Sequence, residues 1–264
     1  MLRYIFIFIF AMSAVSADAA SFDHSQWDTL LKNNVEVHEG GKTTKVDYQA
    51  TAKQRQVLTG YLDQLSKISR EQFDSWSKND QLAFLINAYN AWTVELILTK
   101  YPDLESIKDL GSFFQSPWKK KFIPLLGEKR SLDDIEHGLI RGSGRYNEPR
   151  IHFAVNCASI GCPDLKNQAY RGDILEKQLE EATALFLSDT SRNRLSDGEL
   201  QVSSVFKWYR EDFERGWRGA ANLPQFLALY KDSLGLGDAE AGKLTAGDMD
   251  IEFLDYDWKL NSTY

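Results

Sequence analysis

The stretch that most constrains this fold is Leu82-Ala83-Phe84-Leu85-Ile86-Asn87-Ala88-Tyr89-Asn90-Ala91. Ser77 or Asn79 can cap a long helix that runs to about Lys100, where Tyr101-Pro102 stops it. The stretch is apolar apart from Asn87 and Asn90. Asparagine is a poor interior helix former and is costly to bury without partners, so each needs a physical reason to be there. One reason is a loop carbonyl held by the amide. The other is orientation of a histidine or of a substrate. Glu95 shares a face with Asn87 and Ala91 and is a further candidate partner. The high aromatic content (7 Trp, 11 Tyr and 15 Phe) provides for a substantial core, so a single domain over residues 20–264 is expected.

Other segments carry their own periods. Val57, Leu58, Tyr61, Leu62 and Leu65 have helical spacing within 54–68. Residues 122–130 predict a short hairpin turning at Gly127. Ser131 and Asp134 form a capping-box pattern for a helix ending at Gly142. Alternation predicts a strand over 151–156, with Ile151, Phe153 and Val155 on one face and His152, Ala154 and Asn156 on the other. Helices follow over 174–187, from Ser203 or Ser204, and over 223–234. Short strands are expected near 44–48, 200–202 and 251–258. Residues 20–50 otherwise read as irregular, with His24 and His38 at the surface. Few and scattered strands among many helices mean α+β: a mostly helical domain with a small sheet, not a repeated βαβ pattern.

Residues 1–19 have the form of a signal peptide: Arg3, an apolar stretch over 4–15, then small residues around Ala17 and Ala19. No cysteine stands at the cleavage point, and no later run is long enough to span a membrane. The expectation is an exported, periplasmic protein. A net charge of −7, well mixed along the chain, argues against nucleic acid as the main partner. A small-molecule or peptide-like substrate fits better. Nothing in the sequence calls for a cofactor, and its oligomeric state is left open.

Both cysteines lie in one segment, Arg150 to Pro163. Cys157 follows the predicted strand and precedes a loop of small residues, a setting in which a sulfur can be exposed and activated by a nearby histidine. His137 or His152 is the candidate base. Asn87, Asn90, Glu136 or Asn156 can orient it. Arg141 or Arg150 can hold an anionic group, with Asn156 beside them. His137 shares a helix face with Asp133 and Arg141, which on its own also describes a salt-bridged surface. A Cys157–Cys162 disulfide carries equal weight with a reactive thiol, since only four residues separate the two in an exported chain. Zinc held by His137, His152, Cys157 and Cys162 is the weaker option, because no tight ligand spacing appears. Phe206, Trp208 and Tyr209 read as core.

Five phrases, in this order, resemble the domain-of-unknown-function family numbered 547. They are Leu82 to Ala91; Ser131 to His137 with Arg141; Pro149 to Cys157; Phe206 to Tyr209 with Asp212-Phe213; and Asp255-Tyr256-Asp257-Trp258. The resemblance implies one domain of that family across the mature chain and tips His137 towards a site role. It implies no activity, because the family is named for lacking one. The functional expectation is therefore a cysteine-dependent hydrolase or acyl transferase. The alternatives are a binding module stapled by Cys157–Cys162 and a thiol–disulfide redox protein.

Overall fold

The computed structural model describes residues 21–38, 43–112 and 114–263, so the segment read as a signal peptide lies outside the described residues. The region read as irregular opens instead with a helix, α1 (Ser25–Asn34), which buries Trp27, Leu30 and Leu31. Strands β1 (Val35–His38) and β2 (Thr43–Val46) pair antiparallel, with Val35 opposite Val46. Asp47 caps α2 (Tyr48–Lys53) by accepting from the Ala50 N–H. The predicted spacing is realised in α3 (Arg55–Ser66), which buries Leu58, Tyr61, Leu62 and Leu65, and α4 (Arg70–Asp74) follows.

Helix α5 (Lys78–Leu98) is the axis of the molecule. Ser77, not Asn79, is its cap and accepts from the Asp80 N–H. Every residue from Gln81 to Ala91 is buried, so the helix has no solvent face over three turns. The hairpin of β3 (Ile123–Leu125) and β4 (Glu128–Arg130) turns through Leu126 and Gly127, both at positive φ, as a tight two-residue hairpin requires. The Ser131 capping box is present: Ser131 Oγ accepts from the Asp134 N–H at 3.0 Å, and Asp134 Oδ2 accepts from the Ser131 N–H at 2.8 Å. The helix it starts, Asp134–Arg141, is wound as a π-helix and closes with the Gly142 N–H on the His137 carbonyl.

The expected strand over 151–156 is absent. Pro149–Phe153 forms a 3-10 turn instead, started by Glu148, whose side chain accepts from the Arg150 N–H. The alternation misleads because all six residues of 151–156 are buried, so neither face is a solvent face.

Helix α6 (Leu175–Ser188) packs on this turn. Strands β5 (Arg194–Ser196) and β6 (Glu199–Ser203) lead into two short helices, α7 (Val205–Trp208) and α8 (Arg210–Phe213). Then come α9 (Leu223–Ala228) and α10 (Asp238–Ala246). Strand β7 (Ile251–Leu254), shorter than the sequence suggests, pairs parallel to β6 and completes a three-stranded sheet, β5-β6-β7. The architecture is α+β, about 50% helix and 13% strand, with the strands confined to small sheets. Among the described residues no helix is long and apolar enough to cross a membrane.

Apolar side chains gather into two cores. One surrounds α5; the other is built from Phe186, Phe206, Phe213 and Phe226 with their neighbours. The 149–158 segment belongs to both. Ile151, Ala154 and Val155 enter the first core, and Phe153 enters the second. The chemistry described next lies on this seam.

Candidate functional site

A cavity of about 180 Å³ opens where the two cores meet. Tyr89 comes to it from α5, Asp133, Glu136 and His137 from the π-helix and its start, and His152, Val155 and Cys157 from the seam. Trp208 and Tyr209 come from the α7–α8 corner, and Tyr256 and Trp258 from the chain end. All five phrases that the sequence analysis singled out therefore converge on one space.

The backbone of the cysteine loop is fixed by two asparagines. The Asn90 amide donates to the Ala154 carbonyl at 2.9 Å, and its carbonyl accepts from the Asn156 N–H at 2.8 Å. Asn156 in turn donates to the Pro163 carbonyl at 2.7 Å and accepts from the Ala158 N–H at 2.9 Å. Side chains here do what a neighbouring strand would otherwise do, satisfying buried peptide groups. Ala158, next to the cysteine, is held at φ +63, a conformation costly for alanine that these bonds sustain.

Cys157 and Cys162 are both free; the bridge weighed for them is not formed. Cys157 is half-buried, and its sulfur lies 3.2 Å from Ser159 Oγ and 3.2 Å from Tyr256 Oη. Hydrogen bonding from the Cys162 thiol, helped by Ser159 and Tyr256, lowers the Cys157 thiol from its ordinary value despite burial. Burial drives Cys162 and the Tyr256 phenol well above theirs, so both remain donors. The result is an asymmetric pair: a stabilised, reachable sulfur beside a buried protonated one.

His152 is buried, with Tyr209 stacked on it at 3.9 Å between ring centres. Its Nε2 lies 2.7 Å from Asp212 Oδ2. Burial pushes the imidazole down from its usual value, against the pull of Asp212. Burial also works to raise Asp212, but hydrogen bonds from His152 and Arg141 outweigh it and hold that carboxyl well below the usual range. Asp212 is therefore the acceptor and Nε2 carries the proton, which leaves the Nδ1 lone pair free. Among the described residues Nδ1 has no hydrogen-bond partner, and neither has Glu136 Oε1, 4.0 Å away.

The other predicted residues divide cleanly. His137 lines the cavity from an exposed position, 3.8 Å from Asp133, with its Nδ1 accepting from Arg141 at 2.6 Å. Arg141 also pairs with Asp212 and lies over Tyr209, so it braces the site from behind. Asn87 and Asn90 are clamps on backbone, not orienters of a histidine. Asn87 holds the Tyr170 carbonyl and N–H at 2.7 and 2.9 Å. Asn156 likewise bonds the backbone of the loop. Arg150 is 1% exposed, tied to Glu148, Glu176 and Glu180 and laid over Trp217, which leaves it no freedom to bind substrate. His24, read as a surface residue, is buried on Tyr61. Trp208, read as core, is 47% exposed and stacks on Trp258.

Sequence reasoning missed Ser159, Tyr209, Asp212 and Tyr256. For Tyr209, Asp212 and Tyr256 the signal was present in the polar members of the last two family-like phrases, which a core needs no help from; Ser159 lies outside all five. Among the described residues no group of three or more His, Cys, Asp or Glu is placed to hold a metal ion.

Residues 73–187 match the model of a family described as "Protein of unknown function, DUF547". This span contains the first three of the five phrases. No curated protein and no solved structure matches the chain.

Proposed function

We propose that this protein is a cysteine-dependent acyl-transfer enzyme, a hydrolase or transferase, with Cys157 as nucleophile and His152 as acid–base, oriented by Asp212. The observation that carries this reading is one cavity holding a thiol below its ordinary pKa and a neutral histidine with an unpartnered Nδ1. The sulfur would attack an acyl carbon, forming a thioester as the bond to the leaving group breaks. Nδ1 would accept the thiol proton and return it to the leaving group. Water or a second nucleophile would then cleave the thioester. Among the described residues the sulfur's hydrogen bonds run to hydroxyls and Cys162 and not to a histidine, so the thiol proton would reach Nδ1 through a water in the cavity. The apolar 4–15 segment supports export to the periplasm.

The test is acylation. Incubation with a panel of activated esters and thioesters should leave an acyl mass on the Cys157 peptide. Cys157→Ala should carry none, and His152→Gln should acylate slowly. A panel that never labels Cys157 removes the reading.

The Cys157–Cys162 asymmetry favours a second reading, thiol–disulfide exchange, in which Cys162 resolves a mixed disulfide formed on Cys157. Cys162→Ser would trap that mixed disulfide if exchange is the reaction, and would leave acylation in place if it is not.

A further inference from the structure

Two hydrogen-bond acceptors face each other inside the cavity: the Tyr209 phenol hydrogen-bonds the Glu136 carboxyl, yet among the described residues no donor satisfies Glu136 Oε1 or His152 Nδ1. Glu136 is 4% exposed and His152 is 2% exposed. Glu136 Oε1 and His152 Nδ1 stand 4.0 Å apart, each without a hydrogen-bond partner among the described residues. The Nε2 proton is committed to Asp212, so Nδ1 has none to offer. A buried carboxylate oxygen left in this state is costly unless something supplies hydrogen. One nitrogen making two bonds near 2.9 Å places its acceptors about 4–5 Å apart, which is the spacing present. The surrounding wall is aromatic: Trp208, Tyr209 and Trp258 line the same space. The fold already seats its own cations on two of these rings, Lys108 over Trp258 at 3.6 Å and Arg141 over Tyr209 at 4.9 Å.

We propose that the cavity recognises the ammonium group of a small amine, seated between Glu136 Oε1 and His152 Nδ1. Resting on the acyl-transfer reading, this names the substrate class: an amine-bearing acyl donor or acceptor. As acceptor, the ammonium would lose one proton to Nδ1, and the free amine would attack the Cys157 thioester. A C–N bond would form, the C–S bond would break, and the second amine proton would return to sulfur.

The experiment is calorimetric titration with n-butylammonium chloride and, separately, n-butanol, using wild type and Cys157→Ala. Butylammonium should bind saturably and at least about tenfold more tightly than the alcohol in both proteins, as expected for a charge-assisted pair. Glu136→Gln should erase that preference. Equal affinity for amine and alcohol overturns the proposal, as does a preference that survives Glu136→Gln. The wild-type comparison decides alone if the variant does not fold. Binding to Cys157→Ala requires no chemistry. Amine binding without acylation would therefore sink only the catalytic reading, and acylation without amine preference only this one.

Discussion

His24 and His152 are both buried imidazoles, yet they sit in opposite surroundings. His24 hydrogen-bonds one neutral group, Tyr61 Oη, at 2.7 Å, and is packed by Phe22 and Phe84. Burial drives its pKa down to about 4, outweighing the opposing pull of Asp23, which makes no hydrogen bond to the ring among the described residues. His152 has Asp212 on one nitrogen, Glu136 4.0 Å from the other, Arg141 behind the carboxylate, and a cavity in front. Burial is the dominant influence on both, so burial does not distinguish a site histidine from a structural one. A carboxylate hydrogen-bonded to the ring does.

The contrast breaks most visibly at Asp212. Asp212→Ala should cost about 3–5 kcal/mol in chemical denaturation, because it strands Arg141, Arg215 and His152 together. His24→Gln should cost far less at neutral pH. Equal losses from the two changes would erase the distinction.

The same contrast recurs between Asn87 and Asn90, three residues apart on α5. Each amide satisfies one buried carbonyl and one buried N–H, so Asn87→Ala and Asn90→Ala should each destabilise by about 2–4 kcal/mol. Only Asn90 holds the cysteine loop. Asn90→Ala should therefore also slow alkylation of Cys157, while Asn87→Ala leaves its rate unchanged. A rate that falls equally in both would mean the loop is not positioned by Asn90.

A smaller effect sharpens the comparison through pH. The His24 pKa falls from 6.5 in the unfolded chain to about 4 in the fold. The unfolded chain thus binds the extra proton first. Stability is complete above pH 6.5 and declines as pH falls from 6.5 to about 4, by up to about 3 kcal/mol. His152, also lowered, adds loss of the same sign beginning below 6.5. Urea denaturation across this range should slope less in His24→Gln than in wild type. An unchanged slope would mean that His24 is not the desolvated group described.

One-sided periodicity was legible in α3 and α6, and α5 was legible from its cap and its Tyr101-Pro102 stop; these and the β3–β4 hairpin all stand close to their predicted places. So was the Ser131–Asp134 capping box, because its chemistry is local. The 149–156 segment was not. Alternation reports a strand only when one face is wet, and here both cores bury it while Asn90 replaces the strand partner. Helix α1 was hidden because only Trp27, Leu30 and Leu31 mark its buried side, and no side chain caps its start. The cavity was half legible. Cys157, His137 and His152 stood out by residue type. Asp212 and Tyr256 stood out only as members of phrases, since their partners lie 60 and 99 positions away in sequence.

The central claim is that Cys157 is an activated thiol on this cavity, and the pH dependence of iodoacetamide labelling, read by peptide mass, tests it most directly. Cys157 should label first, with a rate midpoint below the ordinary thiol value of 9.0, while Cys162 stays protected. A midpoint at or above that value, or labelling of Cys162 ahead of Cys157, would contradict the account.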